Sequence, residues 1–177
     1  MANYPQLDNA SGVWNLREVY DAVMGGYWPN YNSIALVSGF DSSTISVDKA
    51  TISTTGSSSV FGDLSVGRAQ LGAAASITRG LFFGGYTGST LQDEIDYATF
   101  TTTGNFADFG NLTSARRLTI SASNSVRAVT MGGYTSSGSN VVDYVTINST
   151  GDATDFGDTA VTSFVCGSGS SLSLIHI

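Results

Sequence analysis

The chain has 177 residues, of which 41% are hydrophobic and only 12% are charged, so it is long and apolar enough for one domain with a core. Seven Lys and Arg against fourteen Asp and Glu give a net charge of −7, which excludes the basic surface that DNA or RNA binding requires. Abundant Ser, Thr and Gly favour strands joined by tight turns over surface helices. We therefore expect an all-β fold and no nucleic-acid partner.

The first 32 residues are predicted to form a separate helical segment. Residues 15–24 place apolar side chains at helical spacing, and Trp14, Trp28 and Pro29 flank this short helix as packing anchors. The N-terminal residues lack the features of a secretory signal, and no apolar run approaches the length of a membrane span. We expect segment 1–32 to attach the protein to a partner, with synthesis in a cytoplasm and no membrane insertion.

Residues 33–170 are predicted to consist of about three repeats of a β-rich unit. Thr55-Gly56 recurs at residues 103 and 150, and Phe61-Gly62 recurs at residues 109 and 156, so both spacings are 48 and then 47 residues. A fixed period of this length indicates an architecture in which each unit packs on its neighbours. We place the units at about 33–80, 81–128 and 129–170.

The clearest repeat is Arg79-Gly-Leu-Phe-Phe-Gly-Gly-Tyr86, which returns as Arg127-Ala-Val-Thr-Met-Gly-Gly-Tyr134. Its paired glycines predict a place where two backbones approach too closely for a side chain. The repeated positions are Gly84, Gly85 and Tyr86 in one unit and Gly132, Gly133 and Tyr134 in the next.

Aspartates, tyrosines and arginines recur with the same period. Asp96-Tyr97 corresponds to Asp143-Tyr144, and Arg68 corresponds to Arg116. We expect these two arginines, together with Arg117, Arg79 and Arg127, to pair with aspartates or carbonyls of neighbouring units. An arginine fork that holds an anionic sugar is the alternative. For the tyrosines, packing within the sheet is preferred to stacking on carbohydrate.

The repeated aspartates predict turn caps rather than a metal site. Asp93-Glu94-Ile-Asp96 and the group from Asp152 to Asp158 are acidic, but they lack the spacing of a known calcium loop. Cys166 and His176 are the only cysteine and histidine, which leaves no disulfide framework, catalytic triad or histidine metal site in the repeats. We therefore expect a protein that is not an enzyme and that needs no cofactor or metal.

In their order along the chain, the Gly-Gly-Tyr strand, the Asp-Tyr strand, the Thr-Gly turn and the later arginine resemble the kelch motif. Leu81 to Gly85 corresponds to the family's strand that ends in a double glycine. Tyr97 corresponds to its tyrosine and Arg116 to its closing arginine, whereas Phe109 stands where the family usually has Trp. The resemblance implies a partial β-propeller of about three blade-like units.

The repeats are also similar to parts of structural and tail-fibre-type proteins of aquatic bacteriophages. Ser11-Gly-Val-Trp14 and Tyr27-Trp-Pro29 resemble a segment that precedes such repeats in phage virion proteins. The resemblance implies a virion protein, made in the host cytoplasm, that contacts other virion proteins, copies of itself and a host-surface glycan or protein. The alternatives are an extracellular or cell-surface kelch-type interaction module and, third, a carbohydrate-active propeller enzyme.

Residues 171–177 are predicted not to belong to the natural protein. Leu172-Ser-Leu-Ile-His-Ile177 resembles the translation of a sequencing adapter and interrupts the third repeat, and a chance apolar strand is the alternative. Three units leave open sheet edges, which pair readily with other strands, whereas propeller rings close with about four to eight blades. We therefore expect the repeat to continue beyond residue 177 or to be completed by other copies.

Overall fold

The computed structural model of the protein describes residues 34–52 and 54–163. Within these residues the chain forms eleven β-strands and no helix, which confirms the all-β prediction for this part, and no helix there could span a bilayer. The helix predicted over residues 15–24, the flanking Trp14, Trp28 and Pro29, and the tail 171–177 all lie outside the described residues.

The eleven strands form three antiparallel sheets, each built from strands that follow one another along the chain. The first sheet has the order β1-β2-β3, with β1 (Ile34–Val37), β2 (Ser46–Thr51) and β3 (Ser59–Asp63). The second sheet has the order β4-β5-β6-β7, with β4 (Gly72–Ala75), β5 (Arg79–Tyr86), β6 (Leu91–Thr99) and β7 (Ala107–Asn111). The third has the order β8-β9-β10-β11, with β8 (Ile120–Ser123), β9 (Arg127–Met131), β10 (Ser139–Thr146) and β11 (Thr154–Ser163).

The spacing of the sheets along the chain matches the period of the sequence. The second sheet begins with β4 at residue 72 and the third with β8 at residue 120, which is 48 residues later. Each complete unit contains four strands rather than the two that the repeated motifs mark. The unit boundaries drawn from the sequence, at 80/81 and 128/129, fall inside β5 and β9. The second and third sheets therefore begin one strand before the strand that carries the Gly-Gly-Tyr motif.

The repeated Phe-Gly pair marks a β-bulge at the same place in all three sheets. In the second sheet Ile95 pairs with Gly110 while Asp96 pairs with Asp108, so Phe109 is the extra residue. The same shift leaves Phe61 unpaired in the first sheet and Phe156 in the third. Because a bulge redirects side chains at the edge of a sheet, the Phe ring can turn toward the neighbouring unit.

The hydrophobic core lies between consecutive sheets. One cluster joins the first sheet to the second, and there the rings of Phe61 and Phe106 lie 6.1 Å apart in a T-shaped arrangement. A second cluster, between the second and third sheets, includes Phe109, Val145 and Ile147. The first and second sheets therefore each bury apolar side chains against the next unit along the chain, as repeat architectures do.

Candidate functional site

The most distinctive polar feature is a buried ion pair at the junction of the first and second sheets. Arg68 follows β3 and has a fully buried side chain, and its Nη1 lies 3.0 Å from Oδ2 of Asp96 on β6. Arg68 Nε also donates to the carbonyl of Gly84 at 2.9 Å. Asp96 Oδ2 accepts hydrogen bonds from Ser65 N at 3.1 Å and Ser65 Oγ at 2.8 Å. A buried charge requires such a set of partners to offset its lost hydration.

The second and third sheets are joined by the corresponding ion pair. Arg116 Nη2 lies 2.9 Å from Oδ2 of Asp143, and both side chains are fully buried. Thr113 takes the place of Ser65, since its N and Oγ1 donate to the Asp143 carboxylate at 3.1 and 2.7 Å. The expected pairing with aspartates of neighbouring units is thus confirmed for Arg68 and Arg116. The aspartate caps the loop of the preceding unit rather than a turn of its own hairpin.

The paired glycines lie where two stretches of backbone meet, as the sequence predicts. Gly84 and Gly85 have φ of 55° and 121°, in the region that favours glycine. A Cβ on Gly84 would clash with the carbonyl oxygen of Arg116, and a Cβ on Gly133 would lie 2.7 Å from the carbonyl oxygen of Arg117. Gly85 N donates to the Arg116 carbonyl at 2.9 Å. The glycines therefore position the loop that carries the buried arginine.

Two repeated tyrosines pack under arginines of the same sheet. The guanidinium carbon of Arg79 lies 4.6 Å from the centre of the Tyr97 ring, and that of Arg127 lies 4.8 Å from the centre of the Tyr144 ring. Both rings are half-buried. Arg79 Nη1 also donates to the carbonyl of Ile147 in the third sheet at 2.9 Å. These contacts are cation–π packing of the expected structural kind.

The other two repeated tyrosines, Tyr86 and Tyr134, lie on either side of Arg117. The guanidinium carbon is 4.6 Å from the Tyr86 ring centre and 5.1 Å from that of Tyr134. The periodicity gives no sign of this group, because Ala69 occupies the corresponding position one unit earlier, where it pairs with Tyr86 through the backbone. The group ties the equivalent corners of the second and third sheets together.

The acidic residues that were weighed as calcium ligands bond to backbone groups. Asp152 Oδ1 accepts from Asn111 N at 2.9 Å, and Asp155 Oδ1 accepts from Gly157 N at 2.9 Å. Burial raises the pKa of Glu94, although Arg68 opposes that shift. In the described part of the chain, no cluster of acidic, histidine or cysteine side chains could hold a metal ion.

An apolar cavity of about 330 Å³ lies between β1 and the strands β4 and β5. Its lining consists of apolar residues and glycine, including Leu36, Ala74 and Phe82. Within residues 34–52 and 54–163, β1 pairs only with β2, whereas the other two sheets carry a further strand at the corresponding edge. The cavity offers apolar contact but no group that could perform acid, base or nucleophilic chemistry.

A scan of the sequence against protein-family models finds no match, and a search of curated proteins finds none either. The repeated charged residues Arg68, Arg116, Asp96 and Asp143 are all engaged in joining one sheet to the next. This arrangement can hold a row of sheets in a fixed register, and it leaves the loops between strands free to contact a partner.

Proposed function

We propose that this chain is a non-enzymatic structural protein of a bacteriophage virion, a tail fibre or appendage, in which kelch-like propeller units carry a surface that contacts the host. The observation that supports it best is the buried Arg–Asp link, which occurs at both sheet junctions with the same hydroxyl and backbone partners. A link that is repeated at each junction suits a rigid support. A catalytic cleft instead needs charged groups with different environments and different roles.

The loops between strands supply candidate contact surfaces. In the loop from Thr87 to Thr90, the Thr87 Oγ1 lies 2.9 Å from the Thr90 Oγ1 and accepts from Thr90 N at 3.1 Å. Asn124 Oδ1 likewise accepts from the backbone N of Val126 and Arg127, at 2.8 and 2.7 Å. Loops that are ordered by their own hydrogen bonds lose less conformational entropy on binding. Their uncharged hydroxyl and amide groups suit a glycan or a polar protein surface.

The proposal is tested by the location of the protein in a lysate of cells infected by a phage that carries this sequence. Particles are purified on a density gradient, and each fraction is digested with trypsin and analysed by quantitative mass spectrometry. The peptide from Leu118 to Arg127 reports the third sheet. We expect this peptide to follow the major capsid protein across the gradient at a constant ratio.

The control is an abundant host cytoplasmic protein, which should be depleted from the particle fractions. If the peptide stayed with that host protein and was absent from the particles, the virion proposal would be wrong. Recovery of the peptide from the outer surface of uninfected cells would instead favour the kelch-type interaction module.

A further inference from the structure

The outer strand of the third sheet exposes an aromatic side chain that its counterparts bury. Phe61, Phe109 and Phe156 occupy the same bulge in the three sheets. Phe61 and Phe109 are each 3% exposed, whereas Phe156 is 58% exposed. Because the three positions are equivalent in strand, register and residue type, the difference arises from what covers them.

In the first two sheets, the cover is the Thr-Gly turn of the following unit. Gly104 N donates to the Phe61 carbonyl at 3.1 Å, and Phe106 N donates to the Asp63 carbonyl at 2.8 Å. At the next junction, Gly151 N donates to the Phe109 carbonyl at 2.7 Å. The contact is close at both junctions, since a Cβ on Gly62 or Gly110 would clash with the carbonyl of the turn glycine, whereas a Cβ on Gly157 would meet nothing within 4 Å.

The first sheet exposes the opposite half of this junction. Val37 occupies the position in the first sheet that Phe82 occupies in the second, because Val37 pairs with Asp48 as Phe82 pairs with Asp96. Phe82 packs toward the first sheet and is 4% exposed, whereas Val37 is 48% exposed. The Thr-Gly turn of this unit, residues 54–58, is also exposed.

We propose that a second copy of this chain docks head to tail, with the turn 54–58 and the Val37 face of one copy covering Phe156 and Gly157 of another. The contact reproduces the backbone hydrogen bonds of the junction that the chain forms twice within itself. Gly56 N would donate to the Phe156 carbonyl and Ser58 N to the Asp158 carbonyl. Such an interface joins different surfaces of identical chains, and it does not depend on the virion proposal.

The docked junction lacks the buried ion pair of the internal ones. Ser163 occupies the position of Arg116, because Gly133 N donates to the Ser163 carbonyl at 2.9 Å as Gly85 N does to that of Arg116. The half-buried Asp48 therefore meets no arginine from β11 of the second copy. The association is consequently weaker than the internal junctions and reversible.

The test is sedimentation velocity of the full chain over a concentration series from micromolar to millimolar, with circular dichroism to verify folding. We expect the wild-type chain to associate reversibly. Phe156→Asp and Val37→Asp should each weaken association by at least about tenfold, since a charge would be buried in the contact. Val126→Asp is the matched control, because Val126 is 53% exposed on a turn outside both faces, and it should associate like wild type.

Mixing the two variants tests the head-to-tail geometry. Phe156→Asp keeps an intact first-sheet face, and Val37→Asp keeps an intact β11 face, so an equimolar mixture should form a complex of two chains more tightly than either variant associates alone. A wild-type chain that stays monomeric throughout the series would overturn the proposal. So would a loss of association by Phe156→Asp that Val37→Asp does not share, because that pattern indicates pairing of two β11 edges.

Discussion

The substitution Asp143→Asn removes the charge that balances Arg116 at the junction of the second and third sheets. Both side chains are fully buried, and Nη2 and Oδ2 lie 2.9 Å apart. Asn has nearly the same shape and can still accept a hydrogen bond from Thr113. The change therefore isolates the effect of leaving one guanidinium buried without its counter-charge.

Breaking a buried pair by removing one partner typically lowers the free energy of unfolding by about 3–5 kcal/mol. Single domains have a total of about 5–15 kcal/mol, so the variant would lose a large part of its stability. With a urea dependence of about 2 kcal/mol per molar, the midpoint of unfolding should fall by about 1.5–2.5 M. Because repeat units stabilise one another through nearest-neighbour contacts, β10 and β11 should lose hydrogen-exchange protection before β5 and β6 do.

The assay is urea unfolding followed by circular dichroism, with hydrogen exchange on the same samples. Asp108→Asn is the matched control, since Asp108 is exposed on β7, and it should change stability by less than about 0.5 kcal/mol. The double substitution Arg116→Met with Asp143→Leu removes both charges and should recover most of the loss, except for the hydrogen bonds from Thr113. If Asp143→Asn matched its control, or the double variant were less stable than the single one, the buried pair would not hold this junction together.

Three further changes test the surrounding contacts. Burial raises the pKa of Glu94 above its ordinary value, so folding favours the protonated form, and this contribution to stability is lost as the pH rises through the raised pKa. Glu94→Gln should therefore leave the thermal stability at pH 7 unchanged or slightly higher, and the difference should disappear in acid. A clear drop in thermal stability at pH 7 would contradict this. Gly110→Ala should lower the unfolding free energy in urea titrations by at least about 2 kcal/mol, because its Cβ would clash with the turn of the next unit. Gly157→Ala should lower it by only about 1 kcal/mol, because Gly157 has a φ of 131° but no atom near the added Cβ. Equal losses would refute the packing argument. Ser163→Arg should tighten self-association in sedimentation by supplying a partner for Asp48, and an unchanged affinity would argue against the inferred register.

The period and the β-character could be predicted from the sequence because the Phe-Gly and Thr-Gly pairs recur in all three units, and the Gly-Gly pair recurs in two of them. The first strand of each four-stranded sheet could not be predicted. β4 and β8 are short and rich in Ala, Ser and Gly, which have little preference for strands. They form because tertiary contacts hold them in place, as when Ser123 Oγ donates to the Ala75 carbonyl at 2.7 Å.

The pairing of Arg68 and Arg116 with aspartates was also predictable. Charged residues that recur with the period of the repeat are most simply explained by contacts between neighbouring units. Which atoms complete each site was not predictable. Ser65 and Thr113 differ in residue type, and their role depends on a loop that folds back onto the next sheet. The stacking of Arg117 between Tyr86 and Tyr134 lacks any periodic signal, because the preceding unit has Ala69 at that position.

The departures of the third unit from the pattern are concentrated on its outer face. The second unit has Leu112, Thr113 and Arg116 where the third has Thr159, Ala160 and Ser163. This face therefore lacks the buried leucine, the hydroxyl that bonds to the aspartate and the cation of the internal junction. Phe156 and Gly157 nevertheless keep the bulge that receives a Thr-Gly turn. A face that retains the backbone geometry but not the buried ion pair can accept a partner without holding it permanently. This is the behaviour expected of a junction between chains rather than within one.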